Sequence, residues 1–274
     1  MDIAGAIVLF ELGVFPSHRA GFWCRDPALS FAHSGDTFSI TAVGAATIFL
    51  PLIVIWTVEA LSHRQDEYTL KQSRLYASGK PSLLIYKDYI YGAVVNLAIL
   101  EALKCLVGSP RPSFFDLCQP DKAASCNESE YVTNYVCTSV RYSPYLQIDS
   151  SRSFPSAHSS LAIYCGLFVA WYLQRRAFSW HSRSVLLVPL IQGLCVLYAA
   201  ATSLSRLSDH RHHWWDVLAG VIIGTIIAVY TVQVLCKNFS QPAVPSTSDI
   251  SSSEGNNHQS VRRLLSREPH VVIP

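Results

Sequence analysis

Five long apolar stretches most constrain how this chain of 274 residues can fold. A helix that crosses the roughly 30 Å hydrocarbon core of a bilayer needs about 20 such residues. A shorter apolar stretch, Ile3–Phe15, precedes them and lacks the basic start and cleavage site of a signal peptide. We therefore predict an all-α polytopic membrane helix bundle with about six transmembrane helices, the first one short. The five long stretches are Phe38–Leu61, Tyr89–Val107, Ser159–Leu173, Val185–Leu204 and Trp215–Cys236.

The composition excludes several other classes of protein. Charged residues make up 15% of the chain, below the roughly 25% of an average globular domain. The net charge of +2 is too small for a protein that binds nucleic acid through a basic face, so we expect no nucleic-acid partner. From Lys237 onward the chain is rich in Ser, Asn, Gln and Pro. We predict a transmembrane domain over residues 1–236 and a disordered cytoplasmic tail over 237–274.

The orientation follows from the basic residues, which concentrate in the loops after the second and fourth segments and in the tail. Such loops are typically cytoplasmic. The loops 16–37, 109–157 and 205–214 then face the lumen or the cell exterior. Asn127 opens an N-x-S glycosylation triplet in the longest of them. Disulfides are permitted there, and four cysteines leave three pairings open; these are Cys24, Cys118, Cys126 and Cys137.

Ionisable residues are costly beside apolar segments and are functional candidates by default. In this chain they gather at three places, each at the end of a predicted helix that faces away from the basic loops. The three places are Lys104–Pro112, Phe154–Ser160 and Ser205–Asp216. Because these ends meet on one face of a helical bundle, we expect a single site built from all three.

Three cations belong to these clusters: Lys104, Arg111 and Arg206. Arginine presents a planar fork that suits phosphate, and lysine supplies a point charge. Each of them alone could instead extend its charged end toward the membrane interface. We expect these cations to lack three carboxylate partners, and we therefore predict that together they bind phosphate.

His212 and Asp216 are four residues apart, which on a helix puts both side chains on one face. The carboxylate can then accept a hydrogen bond from one imidazole nitrogen and leave the other as a nucleophile or base. The alternative is a zinc site, because His210, His213 and Asp209 crowd nearby. The neighbouring cations would repel a divalent ion, so we expect no metal and no other cofactor.

Ser156, Ala157 and His158 follow a proline and precede an apolar run. A helix that begins there presents free N–H groups and the positive end of its dipole to an anion. His158 then lies in the first turn, where it can donate a proton to a leaving alkoxide.

Three ordered motifs identify the chain as a member of a known family. Lys104–Pro112 matches K-x6-R-P, Pro155–His158 resembles P-S-G-H, and Ser205–Asp216 matches S-R-x5-H-x3-D. These are the motifs of the type 2 phosphatidic acid phosphatase superfamily. The resemblance covers about residues 8–236 and is nearest to the animal lipid phosphate phosphatases.

The resemblance implies a six-helix bundle in the plasma membrane, with its active site on the extracellular or lumenal face. It implies metal-independent removal of phosphate from lipids in the bilayer: phosphatidate, lysophosphatidate, sphingosine 1-phosphate or ceramide 1-phosphate. His212 would form a phosphohistidine, Asp216 would orient it, and His158 would protonate the leaving group and later activate water. The phosphoryl oxygens would be held by residues from all three motifs, namely Lys104, Arg111, Ser156, Ala157 and Arg206.

The sequence departs from the family pattern at three positions. Ala157 replaces the usual glycine, so a backbone with positive φ there would be strained. Ser109 and Ser113 replace basic residues that close relatives often carry. A catalytically inactive lipid-binding or regulatory relative is the alternative hypothesis, as is a sugar phosphatase or lipid phosphotransferase. An inactive relative would be expected to lose motif residues, whereas only the glycine is missing here. A homo-oligomer is left open.

Overall fold

A computed structural model describes residues 18–62, 79–127, 129–178 and 184–240. The predicted short segment Ile3–Phe15 and the predicted tail beyond residue 240 lie outside these residues. Two short strands, β1 (Phe22–Trp23) and β2 (Tyr131–Val132), pair antiparallel. Seven α-helices follow one another in the described chain. They are α1 (Ile40–Ser62), α2 (Gly79–Val107), α3 (Phe114–Cys118), α4 (Pro144–Asp149), α5 (Ala157–Arg176), α6 (Ser184–Ser208) and α7 (Trp214–Tyr230).

Four of these helices are long and apolar enough to cross a bilayer, which confirms the prediction of an all-α polytopic membrane protein. The spans are Ile40–Leu61, Pro81–Val107, Val185–Ser208 and Trp214–Leu235. The last one includes a π-helical turn, Thr231–Leu235, that continues α7. Each agrees with one of the apolar stretches in the sequence. Helix α2 begins ten residues before the predicted start at Tyr89, because its first turns are too polar to be included in an apolar stretch.

The remaining long predicted segment, Ser159–Leu173, forms α5, which is not among the four apolar spans. This helix lies at the centre of the bundle and packs against α1, α2, α6 and α7. Its polar side chains therefore meet protein instead of lipid. Ser160 donates a 2.8 Å hydrogen bond to Asn96 Oδ1, and the Tyr164 hydroxyl donates a 2.6 Å bond to the carbonyl of Tyr89. A central position explains why α5 is less apolar than its neighbours.

Helix α7 approaches α5 very closely at two glycines. A Cβ atom at Gly220 would collide with the carbonyl oxygen of Ser156, and one at Gly224 would collide with that of Ser160. Small residues four apart allow membrane helices to pack backbone to backbone. The contact brings the start of α7 beside the start of α5, where the Ser156 N–H donates to the carbonyl of Asp216 at 3.0 Å.

The C-terminal ends of α1 and α5, at the other end of the bundle, are joined by an ion pair between Glu59 and Arg176. Arg176 donates three hydrogen bonds to the carboxylate of Glu59, at 2.7, 2.8 and 3.0 Å, and the Tyr172 hydroxyl donates a fourth at 2.9 Å. The chain stays folded after α7 as far as Phe239, whose ring packs on those of Phe168 and Tyr172. Both ends of α5 are thus fixed to neighbouring elements.

Residues 18–39, 109–127 and 129–153, which we call the loop lobe, form a small structured unit over the end of the bundle. Phe22, Leu29, Phe114 and Val132 form its buried core. Two disulfides, Cys24–Cys126 and Cys118–Cys137, select one of the three pairings that the sequence left open. Asn127 is exposed on this lobe.

Candidate active site

A cavity of about 440 Å³ opens at the end of the bundle where α1, α5 and α7 begin and where α2 and α6 end. Six of the sequence-predicted site residues line it, so all three motifs meet as expected. Ser156 and Asp216 are fully buried and lie behind the cavity wall. The six lining residues are Lys104, Arg111, Ala157, His158, Arg206 and His212.

The hydrogen bonds of His212 define a single neutral tautomer. Its Nδ1 lies 2.8 Å from the carbonyl oxygen of Ser153, which can only accept. Its Nε2 lies 3.2 Å from Nη1 of Arg111, which can only donate. Nδ1 therefore carries the hydrogen, and the lone pair of Nε2 accepts from Arg111 at the edge of the cavity that His212 lines.

The surroundings of His212 also keep the ring unprotonated. Burial lowers the pKa of His212 well below its ordinary value of 6.5, and the positive charge of Arg111 lowers it further. Desolvation and nearby cations both disfavour an imidazolium. The ring is consequently neutral at physiological pH, and its Nε2 electron pair accepts the N–H of Arg111.

The expected hydrogen bond between His212 and Asp216 is not formed, because their nearest atoms are 3.9 Å apart. The spacing argument required both residues to be helical, whereas α7 begins at Trp214 and His213 is its N-cap. The Asp216 carboxylate instead accepts a 2.6 Å bond from the Ser153 hydroxyl and a 2.9 Å bond from the His213 N–H. Ser153 thus connects Asp216 to His212.

Sequence reasoning missed Ser153, which carries two contacts of the site at once. Its carbonyl holds the His212 ring and its hydroxyl holds Asp216. Its own N–H donates to the carbonyl of Ser109 at 2.9 Å, which fixes the segment before α5. A serine two residues before the proline of the P-S-A-H motif was the only signal, and a backbone acceptor leaves no trace in sequence.

The prediction that the three cations lack matching carboxylates is wrong. Lys104 lies 2.6 Å from Glu101, Arg111 lies 2.7 Å from Asp149, and Arg206 is bound by two carboxylates. Long-range tertiary contacts supply two of these four partners, Asp149 and Asp36, so the sequence around the motifs did not reveal them. The other two are local, since Glu101 and Asp209 each lie three residues from the cation they bind.

Two further cations, Arg152 and Arg211, line the same cavity. Arg211 pairs with Asp149 at 3.2 Å, and Arg152 pairs with the Glu101 carboxylate. Burial alone would raise the pKa of Asp149, but Arg111 and Arg211 outweigh it and hold that pKa below its ordinary value. The cavity wall is therefore a network of ionised groups in which cations outnumber carboxylates.

At the start of α5, Ser156 caps the helix by accepting from the N–H of Ser159. Ala157 is the first helical residue and has no positive φ, so the expected strain does not arise. His158 lines the cavity, and its buried Nε2 has no hydrogen-bond partner among the described residues. This nitrogen therefore has hydrogen-bonding capacity that no described residue uses.

The alternative of a zinc site is not supported within the described ranges, where no group of three or more His, Cys, Asp or Glu side chains could hold a metal ion. The candidate ligands have separate partners. His210 stacks on Phe31 with ring centroids 4.0 Å apart, Asp209 binds Arg206, and the His213 ring lies against Asp216.

Comparison with known proteins gives a family for this geometry. The PAP2 superfamily matches residues 85–240. The chain is 33% identical to phospholipid phosphatase 2 of Mus musculus over 240 residues, covering 85% of this chain and 82% of that protein. It is 33% identical to phospholipid phosphatase 1 of Rattus norvegicus over 219 residues, covering 78% and 74%. A putative phosphatidate phosphatase of Drosophila melanogaster is 33% identical over 256 residues, covering 86% and 66%.

No solved structure gives a significant match to this fold. The matched region contains all three motifs, the helices α5, α6 and α7, and α2 after its first turns. With the motifs assembled around one cavity and relatives of this similarity over most of its length, the chain belongs to the PAP2 superfamily of integral-membrane proteins.

Proposed function

We propose that this protein is a lipid phosphate phosphatase that removes phosphate from phosphatidate, lysophosphatidate, sphingosine 1-phosphate or ceramide 1-phosphate without a metal ion. One observation carries the proposal. A single cavity joins a neutral histidine nucleophile, a second histidine and a group of cations to an apolar wall made by membrane helices.

The apolar wall favours a lipid over a soluble phosphate ester. Ile40 and Gly44 contribute it from α1, Leu97 from α2 and Leu161 from α5. A substrate whose phosphate sits among the cations would place its acyl or sphingoid chain along these helices, within the bilayer. The names of the phospholipid phosphatase relatives support the same class of substrate.

In the first step, Nε2 of His212 attacks phosphorus. An N–P bond forms while the bond from phosphorus to the lipid oxygen breaks, and His158, protonated when the substrate is bound, donates its proton to that oxygen and becomes neutral. The Arg111 group that contacts Nε2 can turn its N–H to a phosphoryl oxygen and free the lone pair. Lys104 and Arg206 stabilise the charge on the other oxygens, as preorganised donors do in low-dielectric sites.

In the second step, His158 takes a proton from water, and the oxygen of that water attacks phosphorus as the N–P bond breaks. Inorganic phosphate leaves and the His212 ring is neutral again. Asp216 acts through Ser153 and the His213 N–H, and so holds the ring while charge changes on it. The cations perform the charge neutralisation that a divalent ion provides in other phosphatases.

The test is phosphate release by the purified protein in detergent–lipid micelles, with the four lipid phosphates as substrates and excess chelator present. We expect release to continue with chelator, and a labelled phosphoenzyme that is stable to base and labile to acid. His212→Ala should abolish both signals. His210→Ala, which removes a ring that stacks on Phe31 outside the cavity, is the matched control and should retain them.

Two results would contradict the proposal. Activity that chelation removes and one metal restores would show that the mechanism uses a metal. No release of phosphate from any of the four lipids by the wild-type protein would leave the inactive lipid-binding relative as the better hypothesis.

A further inference from the structure

The carboxylate of Asp36 forms ion pairs with two of the arginines that line the cavity, Arg206 and Arg211. Its Oδ1 accepts a 2.8 Å hydrogen bond from Nη1 of Arg206 and lies 3.1 Å from Nε of Arg211. Asp36 belongs to none of the three motifs and stands in the loop lobe, just before α1. One oxygen atom thus holds two guanidinium groups that face the cavity.

Asp36 differs from the other carboxylates of the cavity in exposure and attachment. Its side chain is 28% exposed, against 17% for Asp149 and 1% for Glu101. Glu101 lies within α2 and Asp149 at the end of α4, whereas Asp36 lies in a segment without regular secondary structure. Its side chain can therefore change rotamer without disturbing a helix.

The backbone around Asp36 is fixed independently of its carboxylate. The N–H and hydroxyl of Thr37 donate to the carboxylate of Asp209 at 2.8 and 2.6 Å. The N–H of His33 donates to Asp116 at 2.8 Å. The carboxylate of Asp36 could leave the arginines while the segment stays in place.

A phosphate group in the cavity would compete with Asp36 for the same N–H groups. Arginine binds carboxylate and phosphate through the same planar fork, so one guanidinium edge cannot serve both at once. Arg206 keeps a second partner, Asp209, which does not line the cavity. When Asp36 leaves, the Nη1 group of Arg206 becomes available to the ligand, while Asp209 still pairs with the buried cation.

Building on the proposed function, we propose that Asp36 is a replaceable counter-anion for phosphate. It pairs with Arg206 and Arg211 in the empty cavity, yields them to the phosphoryl group of the substrate, and pairs with them again as inorganic phosphate leaves. No bond is made or broken at Asp36, so it is a positioning residue. Its effect is to weaken the binding of the product and speed its release.

The test compares the binding of inorganic phosphate to wild-type protein and Asp36→Asn by equilibrium dialysis of [³²P]phosphate. Asparagine keeps the size of the side chain and one acceptor oxygen but removes the charge. A full charge within about 4–5 Å of a bound anion is a large repulsion even at an effective dielectric constant near 20, so we expect binding at least about tenfold tighter. In turnover, KM and the inhibition constant of phosphate should both fall, and kcat should fall wherever phosphate release limits it.

Two further variants make the result specific. Asp36→Glu keeps the charge and should bind phosphate as weakly as the wild type. Asp121→Asn changes a loop-lobe carboxylate that accepts from the backbone N–H groups of Lys122 and Val136, away from the arginines, and should also leave phosphate affinity unchanged. Melting temperatures of all variants separate a loss of folding from a change of affinity.

Unchanged or weaker phosphate binding by a folded Asp36→Asn protein would overturn the inference, because Asp36 would then serve only to hold the arginines. Absence of phosphate binding by both wild type and Asp36→Asn would overturn it as well. A protein that hydrolyses no lipid phosphate, but whose phosphate affinity responds to Asp36, would refute the proposed function and leave the counter-anion role intact.

Discussion

Replacing Ser153 by alanine tests how Asp216 is coupled to His212. The substitution removes the hydroxyl that donates a 2.6 Å hydrogen bond to the Asp216 carboxylate. It keeps the backbone carbonyl that accepts from Nδ1 of His212. The ring should therefore stay in place, while a fully buried carboxylate loses one of its donors.

The size of the effect follows from the charge on Asp216. A hydrogen bond to a charged group contributes about 1.5–3 kcal/mol net, and the free energy of unfolding should fall by that order. Only the part that strengthens in the transition state, as His212 gains positive charge on phosphorylation, affects kcat. At about 1.4 kcal/mol per tenfold the upper limit is roughly a hundredfold, and we expect kcat to fall by about tenfold with little change in KM.

The assay measures kcat and KM with phosphatidate in mixed micelles, together with the melting temperature. Ser151→Ala is the matched control, because Ser151 is also buried in this segment but contacts the hydroxyl of Tyr135 at 3.2 Å and not the site. Its kcat should stay at the wild-type value. If Ser153→Ala keeps both the wild-type kcat and the wild-type melting temperature, the reasoning that couples Asp216 to His212 through this hydroxyl is refuted.

Three other predictions concern pH, the disulfides and topology. Burial and Arg111 lower the pKa of His212 in the folded state. Below about pH 6.5, the ordinary pKa of histidine, the unfolded chain therefore binds one proton more than the folded protein. The melting temperature should therefore fall as pH drops from 7 to 5.5, and an equal fall in His212→Asn would contradict this. Cys24→Ser opens a loop of 102 residues and should lower the free energy of unfolding by about 4–5 kcal/mol through chain entropy. Cys118→Ser opens a loop of 19 residues and should lower it by about 3 kcal/mol, so equal melting temperatures of the two variants would contradict the chain-entropy argument. Asn127 should carry a glycan in a eukaryotic host, removed by Asn127→Gln; an unmodified Asn127 with cytoplasmic labelling of its loop would invert the proposed topology.

The sequence predicted the membrane helices and the meeting of the motifs, because both depend on local properties. Helix length and apolar character determine the spans, and consecutive helices alternate in direction, which brings the ends of α2, α5, α6 and α7 together. The carboxylate partners could not be predicted in this way. Asp36 and Asp149 reach Arg206 and Arg111 only through the fold of the loop lobe, which no periodic pattern encodes.

The error over His212 and Asp216 has a local cause. A spacing of four residues indicates a shared face only when both residues are helical, and α7 begins at Trp214, between His212 and Asp216. The predicted chemistry at Nε2 does not depend on which acceptor holds Nδ1. For that reason, the prediction for His212 as nucleophile is unchanged, although a different contact orients its ring.

The glycine contacts between α5 and α7 bear on how natural variants of this protein should be classified. Gly220 and Gly224 face the backbone of α5, and Asp216 lies one turn before Gly220 on the same helix. Even a single methyl group at Gly220 would force α7 away from Ser156 and shift Asp216 with it. A substitution that looks conservative and lies within a membrane helix would then act on the proposed phosphate site from a distance, so a clinical or evolutionary ranking by polarity alone would misplace it.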